Sequence, residues 1–147
     1  MKPFAFKTVL AYRKRLEDIA QQRLAEAKKA LDAVRRKLQE EKATLAQLIE
    51  HSELLQTEGV NILELVRYED HILRLEANIK AIEKNLTDKT DIVHQEQQNL
   101  LRRAKDRRIM ERLKDQQNIA WKTYLDKKEV AMLDEIAIIR HDADKEY

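Results

Sequence analysis

Apolar side chains recur along this chain at alternating steps of three and four residues, in two runs separated by one break. The first run is Ala20, Leu24, Ala27, Leu31, Val34, Leu38, Glu41, Leu45, Leu48, Ser52 and Leu55. Nine of these eleven positions are apolar, the exceptions being Glu41 and Ser52. Such alternation keeps side chains on one strip of an α-helix, as a partner helix requires. Upstream, Phe6, Val9, Leu16 and Ala20 open the strip, with Arg13 filling the gap. The two successive steps of four, Leu16 to Ala20 to Leu24, predict a stutter that locally relaxes the supercoil. The second run, Leu65, Tyr68, Ile72, Leu75, Ile79, Ile82 and Leu86, is apolar throughout. It then degrades through Lys89, Val93, Glu96, Leu100, Arg103 and Arg107. Residues 85–91 are poor helix formers as a group and predict a bend, fraying or a soft joint. Apolar residues return as Met110, Leu113, Ala120 and Tyr124, then in a new phase as Leu125, Met132, Ile136 and Ile139.

The break between the runs is Thr57-Glu58-Gly59-Val60-Asn61, which holds the only glycine of the 147 residues. Glycine readily takes the left-handed conformation that ends a helix. Asn61 is a suitable N-cap with Glu64 three residues on, and Val60 with Leu65 suits a hydrophobic staple. Pro3 suits the start of the first helix, where its missing N–H would have no partner. The pattern predicts an all-α fold, a single elongated domain over residues 1–147. It is an antiparallel two-helix coiled-coil hairpin with a longer C-terminal helix. Helix one spans about 4–56, the turn 57–61 and helix two about 62–143. A connection this short forces the helices antiparallel. At 1.5 Å per residue the arms are about 80 Å and about 125 Å long. Folding at Gly59 pairs residue i with about 118 − i, so Phe6 lies near Arg112 and residues past about 115 have no partner within the chain. That stretch carries Trp121, Tyr124, Leu125, Met132, Leu133, Ile136, Ile138 and Ile139. Apolar side chains on an unpaired helix predict a partner or a fold-back of the tail.

Composition supports long helices over a compact globule. Charged residues make up 38%, aromatics 5%, and there is one glycine and one proline, too few to build many turns. The apolar periodicity argues against disorder. With 29 basic and 27 acidic residues the net charge is +2, a balance that calls for neither nucleic acid nor a membrane surface. The absence of cysteine fits a reducing compartment. The N-terminal stretch lacks the uninterrupted apolar run of a signal peptide, and no stretch reaches the roughly 18 apolar residues of a membrane span. The expectation is a soluble cytoplasmic protein.

No set of residues points to catalysis. A phosphate-cradling loop needs several glycines, and cysteine chemistry is absent with cysteine. His51, His71, His94 and His141 lack metal-ligand spacing, so neither a metal nor a cofactor is expected. Paired acids such as Glu40-Glu41 read as surface charges, because general acid–base work needs a concave, desolvated site. One charge bias stands out, Arg102, Arg103, Lys105, Arg107, Arg108, Arg112 and Lys114 against Asp106 and Glu111. It reads either as a solvated face paired with acids of helix one, or as a contact for an acidic protein surface or nucleic acid. The absence of aromatics within the stretch disfavours nucleic acid.

Two end segments go beyond a generic coiled coil. The first is Phe4, Phe6, Val9-Leu10, Tyr12-Arg13 and Glu17; the second is Glu111-Arg112-Leu113-Lys114 with Leu133-Asp134-Glu135-Ile136-Ala137 and Arg140. With the length and the single break, they give a chain that resembles the FliJ family of the bacterial flagellar type III export apparatus. The resemblance implies a non-enzymatic antiparallel coiled coil similar to the stalk subunit of rotary ATP synthases. It implies that the end carrying the termini enters a hexameric export ATPase and promotes ring assembly. A surface nearer the hairpin would contact the cytoplasmic domain of the export gate protein FlhA, and empty export chaperones would bind as well. The protein would then be cytoplasmic, peripherally associated with the membrane at the flagellar base, with no nucleic-acid partner. For the gate, the segment Tyr68–Ile82 matches the family's second-helix patch, with Tyr68, His71, Leu75, Asn78 and Ile82 as candidates and Leu48, His51 and Leu55 opposite them on helix one; His51, Leu55 and His71 stand where family members carry more aromatics. For the ATPase ring the candidates are the basic cluster, Arg102, Arg103, Arg107, Arg108 and Arg112, with Trp121 and Tyr124. The alternative reading is a generic chaperone or scaffold hairpin of an injectisome-type or other secretion system.

Overall fold

The computed structural model describes residues 6–59 and 61–145. Two α-helices, α1 (Lys7–Glu58) and α2 (Ile62–Lys145), account for nearly all of them, with no strand among the described residues. They form an antiparallel hairpin, and α2, at 84 residues, is much longer than the 52-residue α1. Helix α1 runs two residues past its expected end. The expected start at Phe4, the Pro3 cue and the Val60 half of the staple lie outside the described residues.

The turn forms as its chemistry requires. Gly59 has φ +77°, in the left-handed region where a side chain is strained. Thr57 Oγ1 donates to the Leu54 carbonyl at 2.7 Å. On the far side Asn61 caps α2, its Oδ1 accepting from the Leu63 N–H at 3.3 Å. The Asn61 carbonyl accepts from the Glu64 and Leu65 N–H groups at 3.1 and 3.2 Å. These bonds satisfy donors that a helix start otherwise leaves open.

Two compact units make up the chain. One is Ile19–Leu101; the other combines Met1–Asp18 with Arg102–Tyr147. In Ile19–Leu101 every position of the expected strip is buried or half-buried, from Ala20 to Leu55 on α1 and from Leu65 to Leu100 on α2. Its centre is Leu38, Leu75, Ile79 and Ile82, with Val34, Leu45, Leu48 and Leu86 packed against them. Glu41, Ser52, Lys89 and Glu96, the polar members of the strip, follow the same burial rhythm, so spacing rather than residue type sets the face. Helix α2 continues without interruption through 85–91, where a bend, fraying or soft joint was expected. The hydroxyls of Thr87 and Thr90 donate to the carbonyls of Glu83 and Leu86 at 3.2 and 2.8 Å, which lets threonine stay in a helix.

In the other unit the strip starts in a different phase from the one expected. Leu10 is 5% exposed, whereas Phe6 and Val9 are 52% and 39% exposed. The buried or half-buried positions Leu10, Arg13 and Glu17 lead to Ala20 by steps of three, four and three. Leu16 and Glu17 are both half-buried ahead of Ala20, and Glu17 carries the three-four rhythm into the Ala20–Leu55 strip. Met110 of α2 is also buried, at 5% exposure. Beyond Trp121, every residue of 122–145 is exposed.

Candidate functional site

The residues expected at the gate all lie in Ile19–Leu101. They come from both helices because an antiparallel pair brings positions near the turn opposite one another. His51 faces Tyr68, with ring centroids 5.5 Å apart and planes tilted by 47°, within one residue of the expected register. Leu48, Leu55 and Tyr68 are half-buried, while His51, His71 and Asn78 are exposed. Leu75 and Ile82 are each only 7% exposed and belong to the hairpin core. Their spacing puts them on the seam facing α1, so they support the face from beneath. The accessible chemistry is the pair of imidazoles, the Asn78 amide and the edge of Tyr68.

The residues expected at the ATPase ring lie in the unit that combines Met1–Asp18 with Arg102–Tyr147, and they divide into two sorts. Arg107 is turned inward. Its Nε donates to Glu17 of α1, and its Nη1 donates to Glu111 at 2.8 Å. Hydrogen bonding to Glu17, then to Glu111, pushes the guanidinium pKa above its usual value, against the opposing effect of desolvation. Arg13 of α1 donates from Nη1 to the Asp106 carbonyl at 2.9 Å. Arg103 is half-buried. Arg102, Lys105, Arg108 and Arg112 are exposed. Within the stretch 102–114, Arg107 forms an ion pair with Glu17 of α1. Lys105, Arg108 and Arg112 face solvent, while the Arg107–Glu17 pair matches the reading in which acids of helix one compensate the cluster.

Further along α2, Trp121 and Tyr124 stack with centroids 5.5 Å apart and planes 24° apart. Gln117, Ala120, Trp121 and Tyr124 line a groove of about 450 Å³. A second, mostly apolar groove of about 290 Å³ lies against Asn118, Ile119, Trp121, Lys122 and Leu125. Beyond them Val130, Met132, Leu133, Ile136, Ile138 and Ile139 are all exposed.

Sequence reasoning missed Glu17 as an inward-facing partner. The signal was its place in the three-four rhythm after Leu10 and Arg13, which an acidic side chain obscured. It also missed the exposed Ile62, Leu63, Val66 and Leu73 beside the turn, since attention to the seam hides a second apolar face. Among the described residues, no group of three or more His, Cys, Asp or Glu could hold a metal. Among the same residues, no helix is long and apolar enough to cross a membrane.

A protein-family model described as flagellar FliJ protein matches residues 1–146. No curated protein matches the chain, and no solved structure does.

Proposed function

The chain belongs to the FliJ family of flagellar proteins, and from that membership we propose that it is the stalk-like coiled coil of the export ATPase. Family membership makes it a component of the flagellar protein export apparatus. Within that apparatus the reading is specific. The segment of α2 that begins near Arg102 enters the ATPase hexamer and promotes its assembly. The surface around His51, Tyr68, His71 and Asn78 meets the cytoplasmic domain of the gate protein FlhA, and empty export chaperones are escorted. The protein acts without chemistry of its own. It works on the cytoplasmic side of the membrane, which it reaches through the apparatus.

The observation that carries this reading is the exposed apolar segment 122–145. A helix that shows Leu125, Met132, Leu133, Ile136, Ile138 and Ile139 to solvent gains from entering an enclosing surface. At about 25 cal/mol per Å² of apolar area covered, even partial burial supplies several kcal/mol. The exposed Arg108 and Arg112 supply charge for an acidic rim. The test is a single cysteine in place of Tyr124, a clean probe because the chain has none. It is expected to cross-link to the cognate ATPase only when the hexamer forms. If neither ring formation nor ATP hydrolysis responds to the added protein, the stalk reading is wrong.

A further inference from the structure

Helix α2 carries two exposed faces of matching apolar pattern and opposite charge. The first is in Ile19–Leu101. Ile62, Val66 and Leu73 fall in one row, at steps of four and seven, and all three are exposed. At about 100° per residue this row is turned about 120° from the seam residues Leu65, Tyr68, Ile72 and Leu75. It is thus a separate surface. Glu69 and Asp70, both exposed, stand between Val66 and Leu73.

The second face belongs to the other unit. Ile109 and Leu113 form an exposed apolar row. Lys105, Arg108 and Arg112 form a basic row beside it, at steps of three and four. Lys105, Arg108, Ile109 and Arg112 line a shallow groove of about 280 Å³, room enough for an aliphatic side chain. Neither charged row is used within the chain: Glu69, Asp70, Lys105, Arg108 and Arg112 form no ion pair among the described residues.

We infer that the acidic-apolar face of one copy docks on the basic-apolar face of another, so that the protein associates with itself. The occupant is a second copy because the two halves of the contact, complementary in sign and in apolar pattern, are both present on one chain. Ile62, Val66 and Leu73 meet Ile109, Leu113 and the groove beside them, while Glu69 and Asp70 meet Arg108 and Arg112. Different surfaces meet, so the contact is heterologous and can close into a small ring or extend from copy to copy. Each face is only a few side chains long. The contact is smaller than a standard stable interface, and its exposed ion pairs weaken with salt. The inference does not rest on the stalk reading, yet it bears on it. Arg108 and Arg112 belong to both surfaces, so a self-associated copy is withheld from the ring.

The test uses the full chain alone. Sedimentation equilibrium at low salt (about 50 mM) is expected to give a weight-average mass that rises with concentration above the 17.4 kDa monomer. Raising salt to about 500 mM is expected to weaken the association at least about tenfold, since the screening length falls from over 10 Å to a few Å. Two charge-reversed proteins locate the contact: Glu69→Lys with Asp70→Lys, and Arg108→Glu with Arg112→Glu. All four positions are exposed on helices, and circular dichroism verifies that each variant is folded. Each variant alone is expected to be monomeric, and an equimolar mixture is expected to associate, because the two reversed faces are then opposite in charge to each other and the two unreversed faces likewise. A monomeric wild type at low salt overturns the inference. So does association that survives in each variant alone, which would point to the apolar segment 122–145 instead, and so does a mixture that fails to restore what the single variants lost.

Discussion

Glu17 and Arg107 meet at positions where the rhythm of the seam calls for leucine. Their side chains are only 13% and 23% exposed, so this is an ion pair within a helical interface. Arg107 is bonded a second time by Glu111. A polar layer of this kind costs desolvation and confers register, because sliding one helix leaves a shielded charge without its partner.

Replacing one partner is therefore worse than replacing both. Glu17→Leu is expected to lower the thermal midpoint by a few degrees, since it leaves Arg107 shielded with Glu111 alone. The double change Glu17→Leu with Arg107→Leu is expected to recover most of that loss or exceed the wild type. Melting curves of the three proteins followed by circular dichroism decide it. An additive double variant would mean the pair contributes no coupling. The sign with pH follows from the raised Arg107 pKa. Stability from a group whose charged form is favoured in the fold is complete below its unfolded value and is lost only as pH rises through the higher folded value. Arg107 thus adds no pH dependence to the melt between about pH 6 and about pH 9.

The core of Ile19–Leu101 and the exposed row beside it predict opposite outcomes for like changes. Ile79→Ala removes a side chain only 7% exposed and is expected to cost about 2–4 kcal/mol. Leu73→Ala removes one that is 62% exposed and is expected to stay within about 0.5 kcal/mol of the wild type. Urea unfolding measures both. Equal losses would mean Leu73 is covered in solution even at high dilution.

At the turn, a Cβ placed on Gly59 meets nothing within 4 Å, so only the backbone objects. Gly59→Ala is expected to cost about 1 kcal/mol, the strain of a side chain at positive φ. Asn61→Ala is expected to cost a similar amount through loss of the cap. Both variants should keep the helical content of the wild type. A loss beyond about 3 kcal/mol at Gly59 would show that the turn has neighbours a free side chain disturbs.

No residue of 122–145 is buried. Removing residues 126–147 is expected to shift the thermal midpoint by no more than about 2 °C, the scale of surface changes. The same truncation is expected to abolish cross-linking to the ATPase ring. A large destabilisation would mean the segment folds back on the hairpin.

The residues expected at the gate show the limit of spacing as a guide to surfaces. His71, Leu75, Asn78 and Ile82 follow one another at steps of four, three and four, yet His71 and Asn78 are exposed while Leu75 and Ile82 are core. A stripe near the edge of a seam is divided by the partner helix, and a single helix's sequence does not show where that edge falls. The basic stretch 102–114 was ambiguous for the same reason, because pairing depends on which acids of α1 come opposite.

What the sequence by itself determined is everything that depends on neighbours three or four residues away. The two helices, the seam from Ala20 to Leu55 and from Leu65 to Leu86, and the turn at Gly59 and Asn61 are all of this kind, since helix phase and capping are local. The tertiary structure decided which of two adjacent rows faces the partner. It chose Leu10 over Phe6 and Val9, made Glu17 and Arg107 an inward pair, left Arg108 and Arg112 to solvent, and kept α2 helical through 85–91. These outcomes depend on what the opposite helix presents at each level, where a long-range contact outweighs a local preference of a few tenths of a kcal/mol per residue.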